Sequence, residues 1–287
     1  MEWREKMVDN LIVQILADNK AGGKGLLAEH GLSLLVECDG EQLLFDTGQG
    51  LVLNHNAAKL NIDLAQIKKV ALSHGHYDHT GGLLSLLKGG CHPVVYAHPD
   101  VFITRYVREK EVMRDCGLPF SQKELEEQGA SFTFSRGPTE LYPGVILSGE
   151  IPRLSPVEYP NFLVPGKEEW LKDSLADDQF ILVLTKQGPV LILGCTHAGL
   201  ANTLAYAQRL AGGQRIFAVL GGMHLAEAKP AVIENNINII RESGIEYVIP
   251  LHCTGFHAMS RLYQVFDPKF KEGKVGMKIS FSELLCS

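Results

Sequence analysis

Residues 74–79 read His-Gly-His-Tyr-Asp-His and follow directly on the run Lys68-Lys69-Val70-Ala71-Leu72-Ser73. That run has the pattern of a buried strand, so three imidazoles and a carboxylate crowd into six positions at the end of a core element. Groups of this kind are not taken out of water without partners. A metal ion is a partner that imidazoles and a carboxylate can share. In an extended segment residues i and i+2 project to one side, which lets His74 and His76 share one ion. A turn at Tyr77 lets Asp78 and His79 face a second. The chain therefore needs a fold in which a strand end opens onto a site.

The stretches on either side supply such a fold. LIVQIL (11–16), SLLVEC (33–38) and QLLFD (42–46) read as strands, with a glycine loop at 22–25 and Asp39-Gly40 as a hairpin turn. A short helix over 51–60, a helix over 82–88 and the strand PVVYA (93–97) follow. Later come FILVLT (180–185), the Gly188-Pro189 turn, VLILG (190–194), a helix over 200–211, RIFAVL (215–220), a helix over 230–242 and EYVIP (246–250). Hairpins and crossing helices occur once in each half. This predicts an α/β protein of two sheets packed face to face with helices outside, a single domain over residues 1–287.

Between about 100 and 178 the pattern loosens. Ser121 and Glu124 form a capping box for a helix that Gly129 ends, and prolines 152, 156, 160 and 165 mark an irregular, exposed loop. We expect an insertion that caps the site. Its aromatic residues, among them Phe102, Tyr106, Phe120, Tyr159, Phe162 and Trp170, give it surface with which to pack. Arg105, Arg108, Arg114, Arg136 and Arg153 are available to clamp a phosphate.

Composition narrows the partners. Hydrophobic residues make up 45% of 287, enough for a large core, and the net charge of −6 comes without a basic run, so nucleic acid is not an expected partner. The first ten residues, carrying Glu2, Glu5 and Asp9, lack the apolar stretch of a secretory signal, and no apolar run reaches the length of a membrane span. Six scattered cysteines, including Cys286, form no Cys-x-x-Cys pair and read as free thiols of a cytoplasmic protein.

The histidine cluster, the Leu44-Phe45-Asp46-Thr47-Gly48 stretch before it and histidines at the ends of later strands resemble the metallo-β-lactamase superfamily. That resemblance implies an αββα sandwich of two mixed sheets with a dinuclear metal site at one edge. Asp46 matches the family's buried aspartate, which orients a ligand histidine through its other ring N–H. His252, in IPLHCTG, matches the last metal histidine. In VLILGCTHAGL (190–200) the sequence departs from the pattern, because many members follow this strand's Gly with a bridging Asp. Here Gly194 precedes Cys195, with His197 two positions on. Cys195 as a thiolate ligand, His197 as the replacement ligand and Cys195 as an inert small residue are three readings, of which His197 is preferred. A histidine usual in a Gly-His-Thr stretch is missing, and its counterpart GVILSGEIPR (144–153) carries Glu150. His224, after Gly221-Gly222, is a candidate to contact substrate or donate a proton. His30, His55, His92, His98 and His257 receive no functional assignment.

SGEIPR, GCTHAG, GGMHL and PLHCTG together resemble the branch labelled 7,8-dihydropterin-6-methyl-4-(β-D-ribofuranosyl)aminobenzene 5′-phosphate synthase-like. The expected activity is metal-dependent hydrolysis of a small phosphorylated substrate, a phosphodiester or cyclic phosphate, pterin-related if the branch label transfers. Two divalent ions would serve it, zinc first for imidazole and thiolate, with manganese or iron next. Asp78 would hold the attacking water and take its proton, and His224 would assist the leaving group. The alternatives are a thioester or lactone hydrolase, an iron enzyme that reduces oxygen or oxidises persulfide, and a non-catalytic metal- or ligand-binding protein.

Overall fold

The computed structural model describes residues 6–157 and 161–284; Glu2, Glu5, Tyr159, Pro160 and Cys286 lie outside them. Strands β1 (Leu11–Ala17), β2 (Ser33–Cys38) and β3 (Glu41–Phe45) form an antiparallel meander. Asp39 and Gly40 turn between β2 and β3, both with positive φ, as a two-residue hairpin of this hand requires. β4 (Lys69–Ala71), β5 (Val94–Ala97) and β8 (Ser131–Phe134) continue the sheet in parallel beyond β3, and β17 (Lys278–Ser280) closes its other edge against β1. Helices α1 (Leu53–Lys59), α3 (Leu83–Lys88) and α4 (Gln122–Glu127) cover the outer face, and α2 (Tyr77–Thr80) is a single turn that begins within the 74–79 motif. Both reciprocal hydrogen bonds of the Ser121–Glu124 capping box are present at α4.

The second sheet holds six strands. β9 (Thr139–Tyr142), β10 (Val145–Leu147) and β13 (Phe180–Val183) lead antiparallel into β14 (Val190–Leu193), after which β15 (Ala218–Gly222) and β16 (Tyr247–Leu251) run parallel to it. Helices α5 (Leu200–Leu210), α6 (Pro230–Glu242) and α7 (Phe256–Phe266) pack on its far side. The period-2 geometry of a strand explains why both sheets are apolar on two faces. Leu34, Val36, Leu43, Phe45, Val190 and Ile192 meet between the sheets, while their neighbours Leu35, Leu44, Leu191 and Leu193 pack under helices. Each such side chain contributes about 1.5–3 kcal/mol by leaving water. The four layers are the expected αββα sandwich.

The stretch read as one insertion over about 100–178 is divided instead. β8 lies in the first sheet, and β9 and β10 in the second. A separate four-stranded sheet forms from β6 (Tyr106–Glu109), β7 (Val112–Asp115), β11 (Phe162–Pro165) and β12 (Trp170–Lys172). Pro165 thus ends a strand, where an exposed loop was expected. α7 and β17 had no counterpart in the sequence reading, and β15 starts at Ala218 where 215 was expected.

Candidate metal centre

The parallel strands end on one edge of the sandwich, and the chemistry gathers there. Asp46 follows β3, the motif at 74–79 follows β4, Cys195 and His197 follow β14, His224 follows β15, and His252 follows β16. Among the described residues eight non-glycine positions have positive φ, and four of them, Asp46, Thr196, His224 and His252, sit at these strand ends. Such backbone costs on the order of 1–3 kcal/mol per residue and concentrates where function requires it. Gly194 lets the two sheets close together, since a Cβ there would lie 2.3 Å from Ser73 Oγ.

The motif's backbone is held on several sides. His79 O accepts from Thr47 N at 2.7 Å and Thr47 Oγ1 at 3.0 Å, and Asp78 O accepts from Leu32 N at 3.1 Å. Asp46 takes Ser73 N on one oxygen at 2.7 Å, and Ser73 Oγ at 2.7 Å and His79 Nδ1 at 2.6 Å on the other. That bond turns His79 Nε2 toward Cys195 Sγ, 3.1 Å away. His252 is oriented in the same manner, its Nδ1 2.8 Å from Asn19 Oδ1 and its backbone N–H donating to Asp18 Oδ1 at 2.7 Å.

Potential donor atoms converge in overlapping groups. His74, His76 and His197 form one, and Cys195 joins others with His74 and His79, with His197 and His224, and with His252 and Cys253. Asp78, His252 and His30 form a further group, with His252 Nε2 and His30 Nε2 each 3.2 Å from Asp78 Oδ2. All eight residues singled out from sequence, His74, His76, Asp78, His79, Cys195, His197, His224 and His252, are therefore brought to one place. Glu150 is not among them: it lies against Arg136 and His98.

The site's protonation suits a cation. Burial pulls the imidazoles of His74 and His197 well below their ordinary pKa and that of His76 to about 3, so they stand as neutral bases. His76 Nε2 is buried with no hydrogen-bond partner among the described residues. An orphaned nitrogen beside two further neutral imidazoles fits a metal's coordination demand. Burial would likewise lower His79, but the carboxylates of Asp46 and Asp78 hold it up to about 9. Asp78 is kept well below the usual carboxylate range, against its burial, by His79, His252 and His30. Burial raises the Cys195 thiol, so a thiolate there calls for a bound cation.

His30 and Asn19 carry no local motif, and only the fold brings them in; Cys253 lies in the PLHCTG stretch beside His252 but had been given no role. The arginines read as phosphate clamps are mostly engaged elsewhere. Arg105 is buried against Asp173 and Asp177, Arg136 pairs with Asp100, and Arg153 donates to three backbone carbonyls. Arg114 pairs with Glu109 yet also lies over the ring of Tyr77, inside the motif. Phe162 of the small sheet stacks on His76, with ring centroids 4.9 Å apart.

Comparison with known proteins agrees with this architecture. The family model of the metallo-beta-lactamase superfamily matches residues 27–153. The chain is 30% identical, over 96% of its length and 98% of the relative's, to the 7,8-dihydropterin-6-methyl-4-(beta-D-ribofuranosyl)-aminobenzene-5'-phosphate synthase of Methanocaldococcus jannaschii. Among solved structures it is similar to Tm1679, described as a metal-dependent hydrolase of the beta-lactamase superfamily, with a TM-score of 0.81 and 33% identity over 94% of this chain and 98% of that one. The metallo-beta-lactamase fold protein YhfI of Bacillus subtilis, at 12% identity and a TM-score of 0.59 over 95% of this chain and 99% of that one, shares the fold.

Proposed function

Because the chain belongs to the metallo-β-lactamase superfamily, we propose that it is a metal-dependent hydrolase of a small phosphorylated substrate, a phosphodiester or a cyclic phosphate. The observation that carries the reading is the convergence of donor atoms of His74, His76 and His197, with His76 Nε2 buried and without a hydrogen-bond partner among the described residues, beside Asp78, His79 and His252. The first three would hold one ion and the last three a second, with Cys195 between them in the place of the family's bridging aspartate. Two ions there would polarise the scissile group and lower the pKa of a bound water. Zinc suits this set of imidazole and sulfur donors, and manganese or iron suits its nitrogen and oxygen members.

The chain's own groups supply the rest. Asp78 holds the attacking water and takes its proton on the carboxylate. His224, its ring centroid 4.4 Å from that of His197, assists the leaving oxygen. Phe162 covers the triad and excludes water from its side, and Arg114 is the arginine placed to meet an anionic group. The phosphate in the name of the archaeal relative supports a phosphorylated substrate, and a pterin-related one is the specific candidate. The free thiols of Cys38, Cys91, Cys116, Cys195 and Cys253 fit the cytoplasm. No helix among the described residues is long and apolar enough to cross a membrane.

The test is elemental analysis of protein purified without added metal, followed by assays on bis-p-nitrophenyl phosphate, a lactone and a thioester. Phosphodiester turnover with two bound ions is expected, and His76→Ala and His252→Ala should each strip metal and abolish it. Faster turnover of the thioester or lactone would move the assignment to the other hydrolase class. Metal without turnover would leave a binding protein.

A further inference from the structure

Between the small sheet and β13 lies a segment, residues 173–179, that reaches both strand ends carrying the His74, His76 and His197 group. Asp177 is fully buried. Its Oδ2 accepts from Gly75 N, the amide between His74 and His76, at 2.8 Å, and its Oδ1 accepts from Arg105 Nη2 at 2.8 Å. Asp178, also buried, accepts from Ala198 N, directly after His197, at 2.7 Å. Gln179 donates from its backbone N–H to Ser73 O and from Nε2 to Leu72 O, each at 2.9 Å. Arg153 closes the arrangement, donating to His197 O at 2.7 Å and to Leu175 O at 2.7 Å.

This assembly is dense and costly. Arg105 is 1% exposed and bonds both Asp173 and Asp177, and a Cβ on Gly75 would lie 2.4 Å from its Nη1. Buried ion pairs are weak sources of stability, because desolvation offsets their attraction; what they supply is a fixed register. Here that register belongs to the backbone on both sides of three imidazoles. The other donors are anchored elsewhere: His79 by Asp46, and His252 by Asp18 and Asn19. The segment also joins the small sheet, since Asp173 N donates to Phe162 O at 3.0 Å.

We propose that residues 173–179, together with Arg105 and Arg153, are the seat that positions the His74, His76 and His197 group and links it to the small sheet. Asp177 acts through the Gly75 amide, and Asp178 through the Ala198 amide. The consequence for metal rests on the metal-site reading above; the positioning of the two backbone segments does not. His74 is also held directly, its Nδ1 2.9 Å from the Ser73 Oγ that donates to Asp46, so what the seat itself adds is support of the Gly75 and Ala198 backbone, which the His252 side does not share.

Asp177→Ala and Arg153→Gln test this, the second at an exposed position. Zinc affinities are measured by competition with a chromogenic chelator, and backbone amide exchange by mass spectrometry of peptides covering 72–80, 194–200 and 246–255. The expected result is that one of two zinc ions weakens about 10- to 100-fold, as loss of a ligand's support commonly does, while the other is unchanged. Exchange should quicken at 72–80 in Asp177→Ala and at 194–200 in Arg153→Gln, with 246–255 unaffected. Equal weakening of both ions with faster exchange in all three peptides would overturn the proposal, as would wild-type behaviour in both variants. A wild-type chain that binds no zinc would sink the metal reading, and the exchange pattern would still decide for or against the seat.

Discussion

Cys195 stands where two groups of donors meet, within reach of His74, His79, His197, His224, His252 and Cys253. His197 completes one group with His74 and His76. The two residues, alternatives when only their i, i+2 spacing is known, thus occupy different places. His197→Ala should cost one ion, whereas Cys195→Ser should weaken both, because a neutral hydroxyl is a far poorer donor than a thiolate. In cobalt-loaded protein the sulfur-to-metal charge-transfer band should vanish in Cys195→Ser and survive in His197→Ala. A band that persists in Cys195→Ser would remove sulfur from the coordination. Gly75 offers a second test at this scale: its absent Cβ leaves room for Val101 O and Arg105 Nη1, which a methyl would meet at 2.2 and 2.4 Å. Gly75→Ala should destabilise by about 1–3 kcal/mol, the usual cost of overpacking, and should lower metal content. Denaturant unfolding with elemental analysis reads both, and a variant as stable as wild type would contradict the close packing.

The small sheet is the element whose removal separates specificity from folding. Shortening residues 107–140 would take out β8 and part of β9, which complete the two main sheets, and should prevent folding. Replacing only residues 107–114 with a Gly-Ser turn keeps Arg105, removes Arg114 and leaves the sandwich whole. Metal content should then be retained, and KM for a bulky phosphodiester should rise more than KM for a small chromogenic ester; equal rises would mean that the hairpin has no part in recognition. Why this element was not legible follows from its strands. Tyr106–Glu109 and Val112–Asp115 bury nothing fully, so no alternation marks them. β8 and β10 escaped notice for related reasons, one being largely exposed at a sheet edge and the other three residues long. Elements that carry their own local chemistry were readable: the Asp39-Gly40 hairpin, the Ser121–Glu124 helix start and the motif after β4. His30, Asn19, Asp177 and Asp178 act only through partners distant in sequence, and no pattern within the chain announces such a contact.

At the scale of the molecule, the buried histidines make stability depend on pH, and the signs of their shifts give the shape. In metal-free protein His74, His76, His98 and His197 have pKa values lowered by burial, whereas in the unfolded chain each titrates near about 6.5. Below that pH the unfolded state binds more protons than the folded one, so stability falls as pH falls. Four such groups contribute a slope of up to about 5 kcal/mol per pH unit, at about 1.4 kcal/mol per proton, which is comparable with the whole stability of an ordinary domain. Asp178, whose carboxyl burial raises to about 7, offsets part of that loss, and His30 and His224, both raised in the fold, act in the opposite sense, as does His79. Raised to about 9, its pairing with Asp46 is fully present below about pH 6.5 and is lost as pH climbs through 9. Metal-stripped protein should therefore be most stable near pH 6.5–7, with the steeper decline on the acid side. His98 lies outside the donor groups, so His98→Asn should reduce the acid slope without altering metal affinity. Chemical denaturation of chelator-treated protein from pH 5 to 9 measures both, and a flat profile between pH 5 and 6.5 would mean that these imidazoles are not held neutral in the fold.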